Sequence, residues 1–163
     1  MAEETPSAGT FDVPSGYRCA IDHLILAARR EICIFDRNLE GAGFDDPVRS
    51  EALRRLLLMG RDNRLRIVLH DTARLPRREP RLMNLLRQFS HAVSIHETER
   101  EARALYDGIM VADGAHYVHR FHFDHARGRW GLEQPEHAQE LKRRFEEIWQ
   151  ASRPALAATT LGL

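Results

Sequence analysis

The chain has 163 residues, with 24 Lys plus Arg balanced by 24 Asp plus Glu and 43% hydrophobic residues. That length suits one domain with a sizeable core, and that apolar share excludes a chain disordered throughout. A formal net charge of zero removes the broad electrostatic pull toward nucleic acid that a strongly basic chain has, leaving only local clusters to consider.

Residues 1–13 are polar, carry prolines and show no periodicity, so a disordered lead-in is expected there. The start is acidic and small, without the basic and apolar regions of a signal peptide. No apolar run approaches the ~20 residues that span a bilayer. Cys19 and Cys33 form no C-x-x-C pair, and reduced thiols in a cytoplasmic protein are the simplest reading. Residues 15–30 place Ala20, Ile21, Leu24, Ile25 and Ala28 at helical spacing, with Ser15 as cap. EICIFD, 31–36, is a buried strand. Asp46 caps a second helix with Pro47 at its first position, and Val48, Leu53, Leu56 and Leu57 as its stripe.

RLRIVLHD, 64–71, gives the second strand. A helix opened by Pro80 follows, then a strand in HAVSIHE, 91–97. TEREARALY, 98–106, is charged and ambiguous. GIMVADG, 108–114, is a fourth strand ending in an Asp-Gly turn, which predicts a hairpin with AHYVHRFHF, 115–123. ARGRWGLEQ, 126–134, is expected as a loop. The last helix, from Pro135, carries Leu141, Phe145, Ile148 and Trp149 as its stripe, and the tail 153–163 is apolar and irregular. Strands alternating with helices predict an α/β fold, with a mixed, mostly parallel sheet flanked by helices on both faces. The domain then spans 14–152.

Four histidines recur every third residue at 116, 119, 122 and 125. On a strand, successive side chains alternate faces, and residues six apart lie about 20 Å from one another. Ligands of one metal ion must converge at ~2 Å, so no metal site and no cofactor is expected from this stretch. One face carries Tyr117, His119, Phe121 and Phe123, the natural core face. The other carries His116, Val118, Arg120, His122 and Asp124. That polar face borders solvent at an edge or lines a cleft.

EICIFDRNLE, the segments 52–71 and 80–97, GIMVADGAHYVHRFHFDHARG, and a closing helix ending in Phe-x-x-x-Trp together resemble one half of a phospholipase D-like fold. The resemblance runs from about residue 14 to 152. It also extends to a group of bacterial domains found fused to acetyltransferases. The superfamily's motif is His-x-Lys-x4-Asp, its His forming a phospho-enzyme and its Lys binding the phosphate. Aligned on Asp113, the His place holds Tyr106 and the Lys place holds Gly108. The motif is degenerate. A phenol is protonated at neutral pH, and the missing lysine removes a charge-assisted contact worth on the order of 1.5–3 kcal/mol. The resemblance therefore implies a non-catalytic domain that binds a phosphorylated ligand or a protein partner. A rebuilt phosphodiesterase using His122, Arg120 and Asp113, or an accessory module acting with an acetyltransferase, remains open.

In open α/β sheets, ligands bind beyond the carboxyl ends of the strands. The residues expected there are Asp36, Arg37 and Asn38, His70 and Asp71, His96 and Glu97, and Asp113. Arg37, His70, Asp71, His96, Asp113, Arg120 and His122 are the candidate ligand-binding set, with His122 and Asp113 the candidate catalytic groups. Each alone is also explained as a cap or a local pair. Arg74, Arg77, Arg78 and Arg81 fall in a stretch with two prolines. It reads as a solvated loop, or as a contact for an anionic partner such as nucleic acid. Superfamily halves often pair two copies, so a homodimer is a further possibility, with the tail at the contact.

Overall fold

The computed structural model describes residues 7–157. Its eight strands are β1 (Ala8–Phe11), β2 (Glu31–Asp36), β3 (Arg64–Leu69), β4 (Val93–Thr98), β5 (Gly108–Ala112), β6 (His116–His122), β7 (His125–Gly131) and β8 (Ser152–Leu156). The helices are α1 (Pro14–Ala27), α2 (Pro47–Met59), α3 (Leu75–Arg78), α4 (Pro80–Gln88) and α5 (Pro135–Gln150). All eight strands form one sheet in the order β1-β7-β6-β5-β2-β3-β4-β8.

The fold is α/β with a mixed sheet, and helices cover both faces. One core layer joins Ile21 and Leu24 of α1, Leu53 and Leu56 of α2, and Leu82 and Leu86 of α4 to Ile32, Ile34, Ile67 and Ile95 of the sheet. The other packs Leu141, Phe145 and Ile148 of α5 on Cys33, Phe35, Val68 and Ile109. The alternation along β2 feeds both layers, because a strand covered on two faces buries every side chain.

The sheet is less parallel than the sequence suggests. Only β2–β3 and β3–β4 are parallel; the pairings of β5, β6, β7, β1 and β8 are antiparallel. A helix carries the chain back before each parallel strand. Between β4 and β5 there is only a 3-10 turn, Arg100–Ala102. The chain therefore enters β5 from the carboxyl end of β2 and runs the other way.

Three expected irregular segments are strands. Residues 8–11, expected in the disordered lead-in, pair as β1 with β7, and ARGRWG, expected as a loop, is most of β7 itself. Residues 152–156, mostly in the expected irregular tail, pair as β8 with β4. These segments lack apolar alternation because they lie at or near sheet edges, where ladder bonds and one apolar anchor each, Phe11, Trp130 and Leu156, hold them. The remainder of the lead-in and tail lies outside the described residues.

Local chemistry explains most boundaries. Asp46 Oδ1 accepts from the amides of Val48 (2.8 Å) and Arg49 (3.1 Å), capping α2 as expected. Val48 is not in the stripe: it is 80% exposed. Arg49 is buried in its place, donating to Asp22 at 2.8 Å and to the carbonyls of Ala42 and Arg18. Ser15 does not cap α1, which starts at Pro14 with Val13 as N-cap. The Asp-Gly hairpin forms as expected: Asp113 (φ 57°) and Gly114 (φ 64°) are both left-handed, and the Ala115 amide donates to the Ala112 carbonyl at 3.0 Å. No helix among the described residues is long and apolar enough to cross a membrane.

Candidate functional site

The site lies where β2 ends. Gly108 of β5 pairs with Arg120 of β6, and both stand at the carboxyl end of β2 because Phe35 pairs with Ile109. Asp36, Arg37, Asn38, Glu40, Gly41, Arg120 and Phe123 line a cavity of about 170 Å³ there.

Asp36 is 2% exposed. Its Oδ2 accepts from the Leu39 amide at 2.8 Å, which secures a buried leucine in the left-handed region (φ 66°). Its Oδ1 has no partner. Any residue other than glycine at 108 would put a Cβ 3.3 Å from that oxygen. Burial pushes the Asp36 carboxyl above its ordinary range, and the Leu39 amide, the Arg120 charge and the nearby amides of Arg37 and Asn38 offset this only in part. Tyr17 of α1 lies beneath. Burial first, then the Asp36 charge, pushes its phenol up.

Arg120 is a fixed fork. Its Nε donates to the His125 carbonyl at 2.8 Å and its Nη2 to the Phe123 carbonyl at 2.5 Å. The guanidinium sits over the Tyr17 ring, 4.9 Å from its centroid. Arg37 lies over Phe123 at 5.1 Å and donates to Asp124 at 2.9 Å. His122 stacks on Tyr106 at 5.7 Å, and its Nδ1 accepts from the Asp124 amide at 3.1 Å. The irregular register between Arg120 and His122 turns this end of β6 and lets Phe123 pack on Phe35 and His70. Phe121, expected on the core face with Tyr117, is instead 46% exposed.

Of the expected set, Arg37 and Arg120 line the cavity with Asp36; His122 is outside that lining and meets Arg37 only through Asp124, which both contact. His70 is adjacent, but both ring nitrogens are engaged, Nδ1 with Thr98 Oγ1 and Nε2 with the Leu105 carbonyl, each at 2.7 Å. It braces β3, β4 and the entry to β5. Asp71 accepts from the Ala73 amide at 2.9 Å and makes a local turn. His96 stacks on Trp149 at 3.7 Å and pairs with Ser152 at 2.9 Å. Burial, then the Arg66 charge, pushes its pKa down.

Asp113 is not at this site. β5 is antiparallel to β2, so its far end returns to the start of β2, the length of a strand away, roughly 16 Å. There Asp113 accepts from the amides of Arg29 (2.8 Å), Arg30 (2.8 Å) and Glu31 (3.0 Å). The four spaced histidines do not converge either. His116 Nδ1 accepts from the Glu133 amide at 2.9 Å, and His119 pairs with Asp107 on the α5 side at 2.8 Å. The arginine stretch 74–81 is largely helical. Arg78 pairs with Glu40 at 3.3 Å, and Arg81 donates to the Asp45 carbonyl at 3.1 Å. Tyr17 and Asp107 are the residues that sequence reasoning missed. Neither lies in a motif, and only the crossing of elements brings them to Asp36 and to Arg144.

This architecture defines a phospholipase D-like fold. Nuc, a phospholipase D family member from Salmonella typhimurium, is similar over 94% of this chain and 100% of its own, with a TM-score of 0.68 and 16% identity. TrmBL2, an archaeal chromatin protein, matches 94% of this chain with 56% of its own length, at a TM-score of 0.69 and 10% identity. Phosphatidylserine synthase from Haemophilus influenzae matches 97% of this chain with 42% of its own length, at 0.61 and 12%. By sequence, the chain belongs to the family described as Domain of unknown function (DUF7931), matched over residues 14–161. No curated protein matches it.

Proposed function

We propose that this domain binds a phosphorylated ligand at the carboxyl end of β2 and does not turn it over. The observation that carries this reading is the pair of guanidinium groups, Arg37 and Arg120, flanking a cavity where the superfamily resemblance expects a phosphate lysine. Planar guanidinium forks suit phosphate oxygens. In the nucleophile's place stands Tyr106, exposed and stacked on His122, and Asp113 is occupied at the other end of the sheet. The fold likeness to a phospholipase D family member supports this reading, which otherwise stands on the residues of the site.

The test pairs binding with turnover. Inorganic phosphate is titrated by calorimetry against the wild type and Arg37→Ala, a change that leaves the two carbonyl bonds of Arg120 intact. Saturable binding weakened about tenfold or more in the variant is expected, the loss of one charge-assisted contact. Absence of binding overturns the reading. The same protein is incubated with bis(p-nitrophenyl) phosphate. Turnover abolished in His122→Ala would establish the rival, a divergent phosphodiesterase.

A further inference from the structure

The cavity at the end of β2 has one feature that a simple anion site does not need. Its floor is Asp36, a carboxyl side chain 2% exposed whose Oδ1 has no partner. A buried acceptor left unpaired costs about 1–3 kcal/mol, so a ligand that supplies a donor to it gains what the folded protein forgoes. Glycine at 108 keeps side-chain bulk off this oxygen, since a Cβ there would stand 3.3 Å from it. The walls carry two arginines, Arg37, which is paired with Asp124, and Arg120, together with Glu40, whose charge is paired with Arg78. Arg120 is held by two carbonyls through Nε and Nη2, and its Nη1 carries neither bond. Arg37 stands on the far side over Phe123. A metal cation is disfavoured between two guanidinium groups, and a fully deprotonated anion meets the Asp36 carboxylate with repulsion. An oxyanion bearing its own acidic proton satisfies both: its charged oxygens face the arginines and its hydroxyl donates to Asp36 Oδ1. The volume of about 170 Å³ is below the ~300–1,000 Å³ of sites that enclose whole drug-sized ligands, so it takes one such group.

We infer that Asp36 makes this a site for a proton-bearing phosphate, either free hydrogen phosphate or the terminal monoester group of a larger ligand, and that it rejects sulfate and phosphodiesters. The inference rests on the phosphate-binding reading above and names the ligand class for that site. Hydrogen phosphate and sulfate have the same charge and shape at pH 7.5 and differ by one proton. A phosphate preference that disappears in Asp36→Asn therefore reports on the acceptor, because a buried group that is left unpaired penalises the wrong ligand.

The experiment is a calorimetric titration of the full chain with sodium phosphate and with sodium sulfate at pH 7.5, then with sodium phosphate, phenyl phosphate and dimethyl phosphate at pH 6. Phosphate is expected to bind at least ~10-fold more tightly than sulfate, and phenyl phosphate than dimethyl phosphate, the value of about one hydrogen bond to a charged group. Asp36→Asn, whose amide donates instead of accepting, is expected to erase the preference. Phenyl phosphate binding as well as inorganic phosphate points to a terminal monoester; phosphate alone points to the free ion. Equal binding of phosphate and sulfate sinks the inference while leaving an anion site. A preference unchanged in Asp36→Asn sinks it too. No binding of any of the four anions removes the underlying reading as well. The wild-type comparison stands even if the variant does not fold.

Discussion

Arg144 of α5 grips Asp107, just before β5, with two parallel bonds, Nη1 to Oδ2 at 2.7 Å and Nη2 to Oδ1 at 2.9 Å. His119 of β6 adds a third bond, to Oδ2 at 2.8 Å. This clamp ties the last helix to the entry of the hairpin that carries Gly108 and Arg120. Burial alone disfavours the Asp107 charge, but the bonds and charges of His119 and Arg144 outweigh it and hold the carboxyl well below the ordinary carboxylate range.

Asp107 therefore stabilises the fold above its unfolded pKa, and that contribution is lost as pH falls below about 4 toward the depressed folded value. Asp107→Asn is expected to cost roughly 1–3 kcal/mol at pH 7, reduced from a fully buried pair because Arg144 is partly exposed. The difference from wild type shrinks in strong acid. Urea unfolding at pH 7 and at pH 3 measures both; equal stability at pH 7 contradicts the clamp.

Asp113 lies at the opposite end of the sheet from the Arg37–Arg120 cavity. Its three amide bonds close the start of β2 against the hairpin turn, and its own left-handed backbone disfavours alanine. Asp113→Ala is expected to lose about 2–3 kcal/mol of stability with phosphate affinity unchanged at temperatures where the variant stays folded. A loss of affinity without loss of stability is the contrary result.

Asp36 runs the other way. A carboxyl whose folded pKa lies above its unfolded value, here raised from 3.8, penalises the native state once pH rises past that unfolded value. The penalty is absent when both states are protonated. Asp36→Asn is expected to be more stable than wild type by on the order of 1 kcal/mol at pH 7 and equal to it near pH 3. Denaturant midpoints at the two pH values decide it. A more stable variant with impaired ligand discrimination is the usual exchange at a functional site.

Glu79, between α3 and α4, gives a second pH signature. It is buried, its Oε2 has no partner, and burial followed by the Asp45 charge raises its pKa from 4.5 to about 7. Its destabilising effect grows between about pH 4.5 and 7 and is complete above 7. Glu79→Gln is expected to flatten the fall in Tm across that window. A wild type and variant with parallel Tm profiles from pH 4.5 to 8 contradicts this.

The pattern of residues in the chain determined the layered α/β plan. The apolar run of β2, the Asp46-Pro47 start of α2, the stripe of α5 and the Asp-Gly hairpin all follow from local rules of burial, capping and turn chemistry, which act over a few residues. The same rules gave the wrong state for β1 and β7, whose sequences carry no apolar alternation and whose order comes from ladder bonds to β7 and β6, and for β8, held on β4.

Site assembly was legible only in part. Arg37 could be named because strand ends attract ligands, and Arg120 and His122 because they share the polar face of β6. Tertiary structure alone decided that β5 runs against β2, which sends Asp113 to one end of the sheet and sets Gly108 beside Asp36 at the other. A strand's direction depends on where its connection enters the sheet. That is a property of distant packing, and no neighbouring residue encodes it.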